Sequence, residues 1–255
     1  MPHSVDHARA WHDAGFEVVT VVIVDSLTSP IDTEPLNFAN AVLLRVNRGY
    51  DFGAWAATIL RLGRSVRRYS LLVTVNDSVL GPSNGFAQML ERVDRVDADL
   101  IGLVESHENM HHFQSFILFF KPSALRSRIF REFWYSVRTG SRDYVIEHYE
   151  RELRAKFVVA GMRAEVVYPL TCLATFNPTL GAWRDLLDLG FPYLKVQLLR
   201  ANPLKVPLDD WLTFADKHGF NTARLSHHIA ELQRQDHMRW ASDSEVLTTS
   251  SYGSN

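Results

Sequence analysis

Leu71-Leu72-Val73-Thr74-Val75 runs into Asn76-Asp77-Ser78 and then Val79-Leu80-Gly81-Pro82. Five apolar or β-branched residues bounded by short polar ones describe a buried strand that surfaces at its carboxyl end. In open α/β sheets that end is where ligands bind.

On the amino-terminal side, Val5 to Ala14 predicts a helix closed by Gly15, and Phe16 to Val24 a strand buried on both faces with Asp25-Ser26 after it. Pro30 to Asn40 reads as loop, and Ala41 to Val46 as a strand leaving through Asn47-Arg48-Gly49. A helix follows from Asp51 to Arg64. On the carboxy-terminal side come a helix at Phe86 to Val93, strands at Leu100 to Val104 and Phe113 to Phe120, and helices at Ser127 to Val137 and Asp143 to Ala160. A strand at Ala164 to Tyr168 closes the pattern. The alternation predicts an α/β fold, a Rossmann-like, mostly parallel sheet flanked by helices over residues 1–170. Short helices at Trp183 to Leu189, Leu194 to Arg200, Leu208 to His218 and Thr222 to Gln235 predict a small helical carboxy-terminal subdomain over 171–240. Residues 241–255, rich in Ser, Thr and Gly, read as a flexible tail.

A chain of 255 residues with 46% hydrophobic side chains can bury one full core and an appendage. Its formal charge of −2 supplies no field to attract nucleic acid, and Arg61, Arg64, Arg67 and Arg68 read as a solvated helix face. Cys172 is the single cysteine, which excludes an internal disulfide and suits a reducing cytoplasm. Apolar runs such as Phe116 to Phe120 fall far short of the roughly 20 residues of a membrane span. Met1 to Ala10 lacks the apolar centre of a signal peptide. The expected place is therefore the cytoplasm; the stretch Lys195 to Arg200 with its leucines reads first as a packed helix with a wet face, and as an alternative offers peripheral contact with the inner membrane face.

His107-Glu108-Asn109-Met110-His111 is a literal His-Glu-X-X-His, the pattern of zinc hydrolases when it lies on a helix. Here it falls between two strand-like runs without a third ligand, which leaves zinc hydrolysis a distant reading. Trp55, Trp134, Trp183 and Trp211 sit in helical stretches and read as core.

Asn47-Arg48-Gly49-Tyr50-Asp51-Phe52-Gly53-Ala54-Trp55, Asn76-Asp77-Ser78-Val79-Leu80-Gly81-Pro82 and His112-Phe113-Gln114-Ser115-Phe116 resemble, in order and spacing, signatures of the rhamnan synthesis protein F family. Asn177-Pro178-Thr179, Trp183, Gly190-Phe191-Pro192, Lys195 and Asn202-Pro203 resemble its carboxy-terminal pattern. The resemblance implies a glycosyltransferase-like protein of cell-surface polysaccharide assembly with a nucleotide-sugar fold of the GT-A type. It implies a nucleotide-sugar donor, dTDP-rhamnose, and a saccharide or lipid-linked saccharide acceptor.

Glu150, Leu153 and Gly161 keep the spacing of the general base and its followers in inverting GT-A enzymes, with Tyr149 where an acid stands in those enzymes. Such a base takes the proton of the attacking hydroxyl. Glu150 with Arg154 and Glu147 with Arg151 are equally i,i+4 surface pairs. Asn76-Asp77-Ser78 falls where those enzymes carry Asp-X-Asp around Mg²⁺ or Mn²⁺, but Asp77 is the one charged member, and an Asx turn uses the same residues. By the same resemblance Asp25, Asn47, Gly49 and Asp51 border the nucleotide, and His112 and Gln114 offer donors to diphosphate or sugar. For Asp25 and Asp51 a cap or turn is the plain alternative. A catalytically silent saccharide-binding component with the same fold is the competing function. The GT-A fold opens with a buried strand ahead of its first helix, whereas this sequence opens on the helix, which leads us to expect a sheet with one strand wanting beside the nucleotide pocket.

Overall fold

The structure, a computed structural model, describes residues 2–28, 30–108, 110–170 and 177–234. Cys172 and the tail over 241–255 lie outside the described residues. Helix α1 (Pro2–Asp13) leads to strand β1 (Val19–Val24), then β2 (Ala41–Val46), α2 (Tyr50–Leu62), β3 (Leu72–Val75), β4 (Val79–Leu80) and α3 (Phe86–Arg95). Four strands follow: β5 (Leu100–Gly102), β6 (Glu105–Ser106), β7 (His112–Phe113) and β8 (Ile117–Phe120). Next come α4 (Pro122–Arg126), α5 (Arg128–Ser136), α6 (Arg142–Val145), a π-helical turn (Ile146–Glu150), α7 (Arg151–Val159) and β9 (Ala164–Val166). The described chain ends with α8 (Pro178–Gly181), α9 (Trp183–Asp188), β10 (Leu194–Lys195), α10 (Val196–Arg200), α11 (Trp211–Lys217) and a helix over 222–234.

The main sheet has the order β3-β8-β5-β9, with β8 antiparallel to both β3 and β5, and β5 parallel to β9. The expected mostly parallel sheet is thus corrected to a mixed one. The reason lies between β5 and β8: that connection is spent on the β6–β7 ladder instead of a crossover helix, so the chain returns antiparallel. Alternation along the strands divides the core. Ile101, Ile117 and Phe119 face one cluster with Met89 and Trp11, while Leu100, Leu118 and Phe120 face another with Phe52, Trp134 and Phe157. Trp183, Leu187, Leu198 and Phe220 from the carboxy-terminal helices join the first cluster, so those helices and the sheet share one apolar interior.

Strands β1 and β2 form a separate parallel pair. Between β1 and β3 lies a cavity of about 530 Å³ lined by Thr20 and Val21 of β1, Thr74 of β3, Trp11 of α1, and Trp55 and Ile59 of α2. Trp11 and Trp55 belong to the clusters on opposite faces of the sheet, so α1 and α2 close the cavity from both sides.

Helix α1 is seated by two buried histidines. His3 Nε2 lies 3.2 Å from the Val79 carbonyl, and His7 Nε2 lies 3.3 Å from the Tyr193 hydroxyl. Burial, with His3 adding repulsion, pushes the His7 pKa down to about 3 from 6.5. The unfolded chain therefore binds the extra proton first, and stability is lost as pH falls from 6.5 toward 3. Urea unfolding at pH 5 should show about 2 kcal/mol less stability from this group than at pH 7, and His7→Gln should flatten most of that difference.

Candidate functional site

The carboxyl ends of β2 and β3 open onto one cleft. At the end of β2, Gly49 adopts φ +83 and starts α2, and the Asn47 side chain accepts from Tyr50 N at 3.2 Å. Gly53 has a packing reason: a Cβ there would stand 2.2 Å from the Arg48 carbonyl oxygen. These two glycines let the turn fold against its own helix, which sets Asp51 at the mouth of the cleft. Crowding by protein atoms raises the Asp51 pKa, its bond from Asn76 lowers it, and the neighbouring Asp77 and Glu150 charges raise it again.

After β3, Asn76 Oδ1 accepts from Ser78 N at 3.0 Å and from Ser78 Oγ at 2.6 Å, forming an Asx turn. Asn76 Nδ2 donates to Asp51 Oδ2 at 2.8 Å, which ties the two loops together. Asp77 stands exposed between Asn76 and Ser78. Strand β10 pairs with β4 so that Lys195 faces Val79, and Val196 N donates to the Ser78 carbonyl at 2.9 Å. This pairing carries Lys195 Nζ to 3.1 Å from Ser78 Oγ and 4.7 Å from the Phe116 ring centre. Burial pushes the Lys195 pKa down to about 8, the Glu150 and Asp51 charges oppose the shift, and Arg142 adds to it.

Glu150 ends the π-helical turn, beside the buried Tyr149. The Tyr149 hydroxyl accepts from Arg138 N at 2.7 Å and lies 3.3 Å from the Ser136 carbonyl. The Glu150 carboxylate accepts from Ser115 N at 3.4 Å. Arg154 lies over the Phe113 ring and forms no pair with Glu150, whereas the Glu147–Arg151 pair does form. Glu150 is thus half-buried, free of a cationic partner on its own helix, and near enough to Asp51 and Lys195 to shift both.

Asp51, Asn76, Asp77, Ser78 and Glu150 are therefore brought together, with Asn47 and Gly49 shaping the loop beneath them. Asp25 is exposed after β1 and makes no hydrogen bond or ion pair to any of these groups among the described residues. His112 is buried, and its Nδ1–H points at the Met110 carbonyl at 2.7 Å. Gln114 is buried and accepts from Asn177 Nδ2 at 3.2 Å, anchoring α8 to the β7–β8 connection. Sequence reading missed Lys195 as a site group. The stretch Lys195 to Arg200 offered two readings, a membrane-facing helix and a packed one with a wet face; Leu198 and Leu199 are buried in the core, and Lys195 itself lies in β10. A lone lysine between Leu194 and Val196 was the available signal.

A Mg²⁺ or Mn²⁺ ion would find few free ligands at this loop. The loop itself carries one carboxylate, Asp77; the adjoining Asp51 carboxylate is engaged by Asn76 Nδ2; Asn76 Oδ1 is already taken twice by Ser78; and an ammonium stands beside Ser78. Such a donor set does not fit a carboxylate-clamped cation. Among the described residues, the trio of ligand side chains within 4.8 Å of one another is Glu105, His107 and His111. That trio lies on the β6–β7 connection rather than on a helix, which removes the geometry a His-Glu-X-X-His hydrolase requires.

The description "rhamnan synthesis protein F" matches residues 19–237 of the chain. The chain belongs to the rhamnan synthesis protein F family. Among relatives, the virulence protein VirA of Vibrio anguillarum is 29% identical over 197 residues, covering 64% of this chain and 63% of the relative. An uncharacterised protein, y4gN, of Sinorhizobium fredii is 27% identical over 137 residues, covering 51% of this chain and 36% of its own. The chain thus spans less than two thirds of the length of these relatives. No solved structure matches it. Among the described residues no helix is long and apolar enough to cross a membrane.

Lys195 and Ser78 give this family member a testable centre. Any anion held by this ammonium, with pyrophosphate as the probe, should bind about tenfold more weakly per pH unit above pH 8, as the ammonium loses its proton. Lys195→Arg should hold affinity up to pH 10. Calorimetric titration across that range measures both.

Proposed function

We propose that the chain is the donor-site domain of an inverting glycosyltransferase of cell-surface polysaccharide assembly, with a GT-A-like arrangement around the cleft. The observation that carries the reading is the convergence of four segments remote in sequence, Asp51, Asn76 to Ser78, Glu150 and Lys195, on one opening. Three acids and one ammonium in a single cleft suit a reaction that removes a proton at one point and develops anionic charge at another.

In this reading the acceptor hydroxyl oxygen attacks the anomeric carbon as Glu150 takes its proton. The bond from that carbon to the diphosphate oxygen breaks, and the nucleoside diphosphate leaves with the electron pair. Lys195 stabilises the growing negative charge, the task a divalent cation performs where two carboxylates are available to hold one. Asp51 and Asn76 fix the loop that faces the diphosphate. The donor we assign is dTDP-rhamnose and the acceptor a saccharide or lipid-linked saccharide, both resting on the family's description.

Turnover and donor affinity separate the roles. Glu150→Gln should lower transfer by between about a hundredfold and ten-thousandfold while donor affinity stays within about threefold, because only the proton acceptor is lost. Lys195→Ala should weaken donor binding as well as turnover. Addition of EDTA should leave donor affinity unchanged. Donor binding without turnover in the wild-type chain, across a panel of saccharide acceptors, identifies the silent saccharide-binding alternative instead.

A further inference from the structure

The turn between β6 and β7 gathers three metal-ligating side chains on one face. Glu105 stands opposite Phe113 and Ser106 opposite His112 in the ladder, so the next positions to face each other are His107 and His111. Side chains alternate along such a ladder, which puts Glu105, His107 and His111 on one side of it and Ser106 and His112 on the other. The contacts follow that division. The His107 and His111 rings lie nearly parallel, at 9° with centres 4.4 Å apart, and His111 Nε2 is 2.5 Å from Glu105 Oε2. Ser106 and His112, by contrast, are buried. The spacing of four that would align two histidines on a helix is produced here by a hairpin.

Both arms of the turn are fixed without help from these three side chains. Ser106 Oγ accepts from Glu108 N at 3.1 Å, and His112 Nδ1 lies 2.7 Å from the Met110 carbonyl. Gln114 N donates to the Val104 carbonyl at 2.9 Å and closes the base of the ladder. His107 is therefore held against His111 before any ligand arrives, which lowers the ordering cost of binding. His107 is exposed and Glu105 and His111 are half-buried, so an ion can reach all three from solvent.

Ligand atoms of one tetrahedral ion, each about 2.0 Å from it, stand roughly 3.3 Å apart. The three ligand atoms here lie within 4.8 Å of one another, the Glu105–His111 pair at 2.5 Å, so side-chain adjustments of about 1.5 Å or less complete the geometry. Two imidazoles and one carboxylate suit Zn²⁺ and its neighbours, whereas Mg²⁺ and Ca²⁺ select oxygen throughout. We propose that Glu105, His107 and His111 form a site for one divalent transition-metal ion of the Zn²⁺ class, with its fourth position open to water. The ion would take the place of the Glu105–His111 hydrogen bond and clamp β6 to the turn and to the start of β7. None of the three ligands belongs to the cleft, so the inference stands apart from the reading of Glu150 and Lys195.

Calorimetric titration of the metal-free chain with Zn²⁺, and separately with Mg²⁺, tests the site. Zn²⁺ should bind at one ion per chain and Mg²⁺ should not compete with it. His107→Ala and His111→Ala should each weaken Zn²⁺ binding by about a hundredfold and Glu105→Gln by about tenfold, while His227→Ala, at an exposed histidine elsewhere, should leave it unchanged. Nitrogen-resolved NMR of the histidine rings gives the same assignment in the wild-type chain, without dependence on the folding of any variant. Zn²⁺ should shift the ring nitrogens of His107 and His111 and leave those of His3 and His7 in place. No saturation by about 1 mM Zn²⁺, binding that survives all three ligand substitutions, ring shifts confined to other histidines, or equal binding of Mg²⁺ each overturns the proposal.

Discussion

Strand β8 is the element on which the remaining architecture leans. It bonds to β3 on one side and β5 on the other, and Ile117 to Phe120 are all fully buried. Reversal of its direction relative to its neighbours is what places the β7–β8 connection, with Gln114 and Ser115, at the carboxyl end of β3. From there Ser115 can meet Glu150 and Phe116 can meet Lys195. Truncating Phe119 or Phe120 would remove packing on one face of the sheet, an effect of roughly 3–5 kcal/mol for a buried phenylalanine.

The cleft depends on a second, smaller pairing. Two residues of β10 against two of β4 bring a segment more than a hundred positions downstream to the Ser78 turn. A positive charge in that enclosure is held by the acids around it and by the face of Phe116, at the cost of a lowered pKa. The cleft therefore sets one buried ammonium among the carboxylates of Asp51, Asp77 and Glu150, although no excess of basic residues appears in the chain as a whole.

Much of this was legible in the sequence for physical reasons. The apolar runs at Val19 to Val24, Ala41 to Val46 and Leu72 to Val75 are long and bounded by turn residues, and each is a strand. Gly49 and Gly53 have conformational and steric causes that leave a mark in composition. Strand direction left no such mark, because a fully buried strand is apolar in either orientation, and β8 was read as one more parallel member. Lys195 was visible as part of the family's carboxy-terminal pattern, but its place in the cleft was not, because that place is set by a two-residue ladder with a remote partner, which local periodicity does not encode. His112 and Gln114 were identified as polar residues at a strand entrance, and the structure spends both on holding neighbouring segments together.

The wide turn at Ile146 to Glu150 has a geometric meaning. Val145, Tyr149, Leu153 and Phe157 are all buried and recur every fourth position. On a regular α-helix that interval walks around the axis by about 40° per step, so such a row would rotate off the core within a few turns. Local underwinding over Ile146 to Glu150 turns the first step of the row back and offsets part of that drift. Angular phase and the bond from Ser115 N together hold Glu150 at the boundary between interior and solvent, and a single-residue deletion in the turn would swing its carboxylate around the helix barrel.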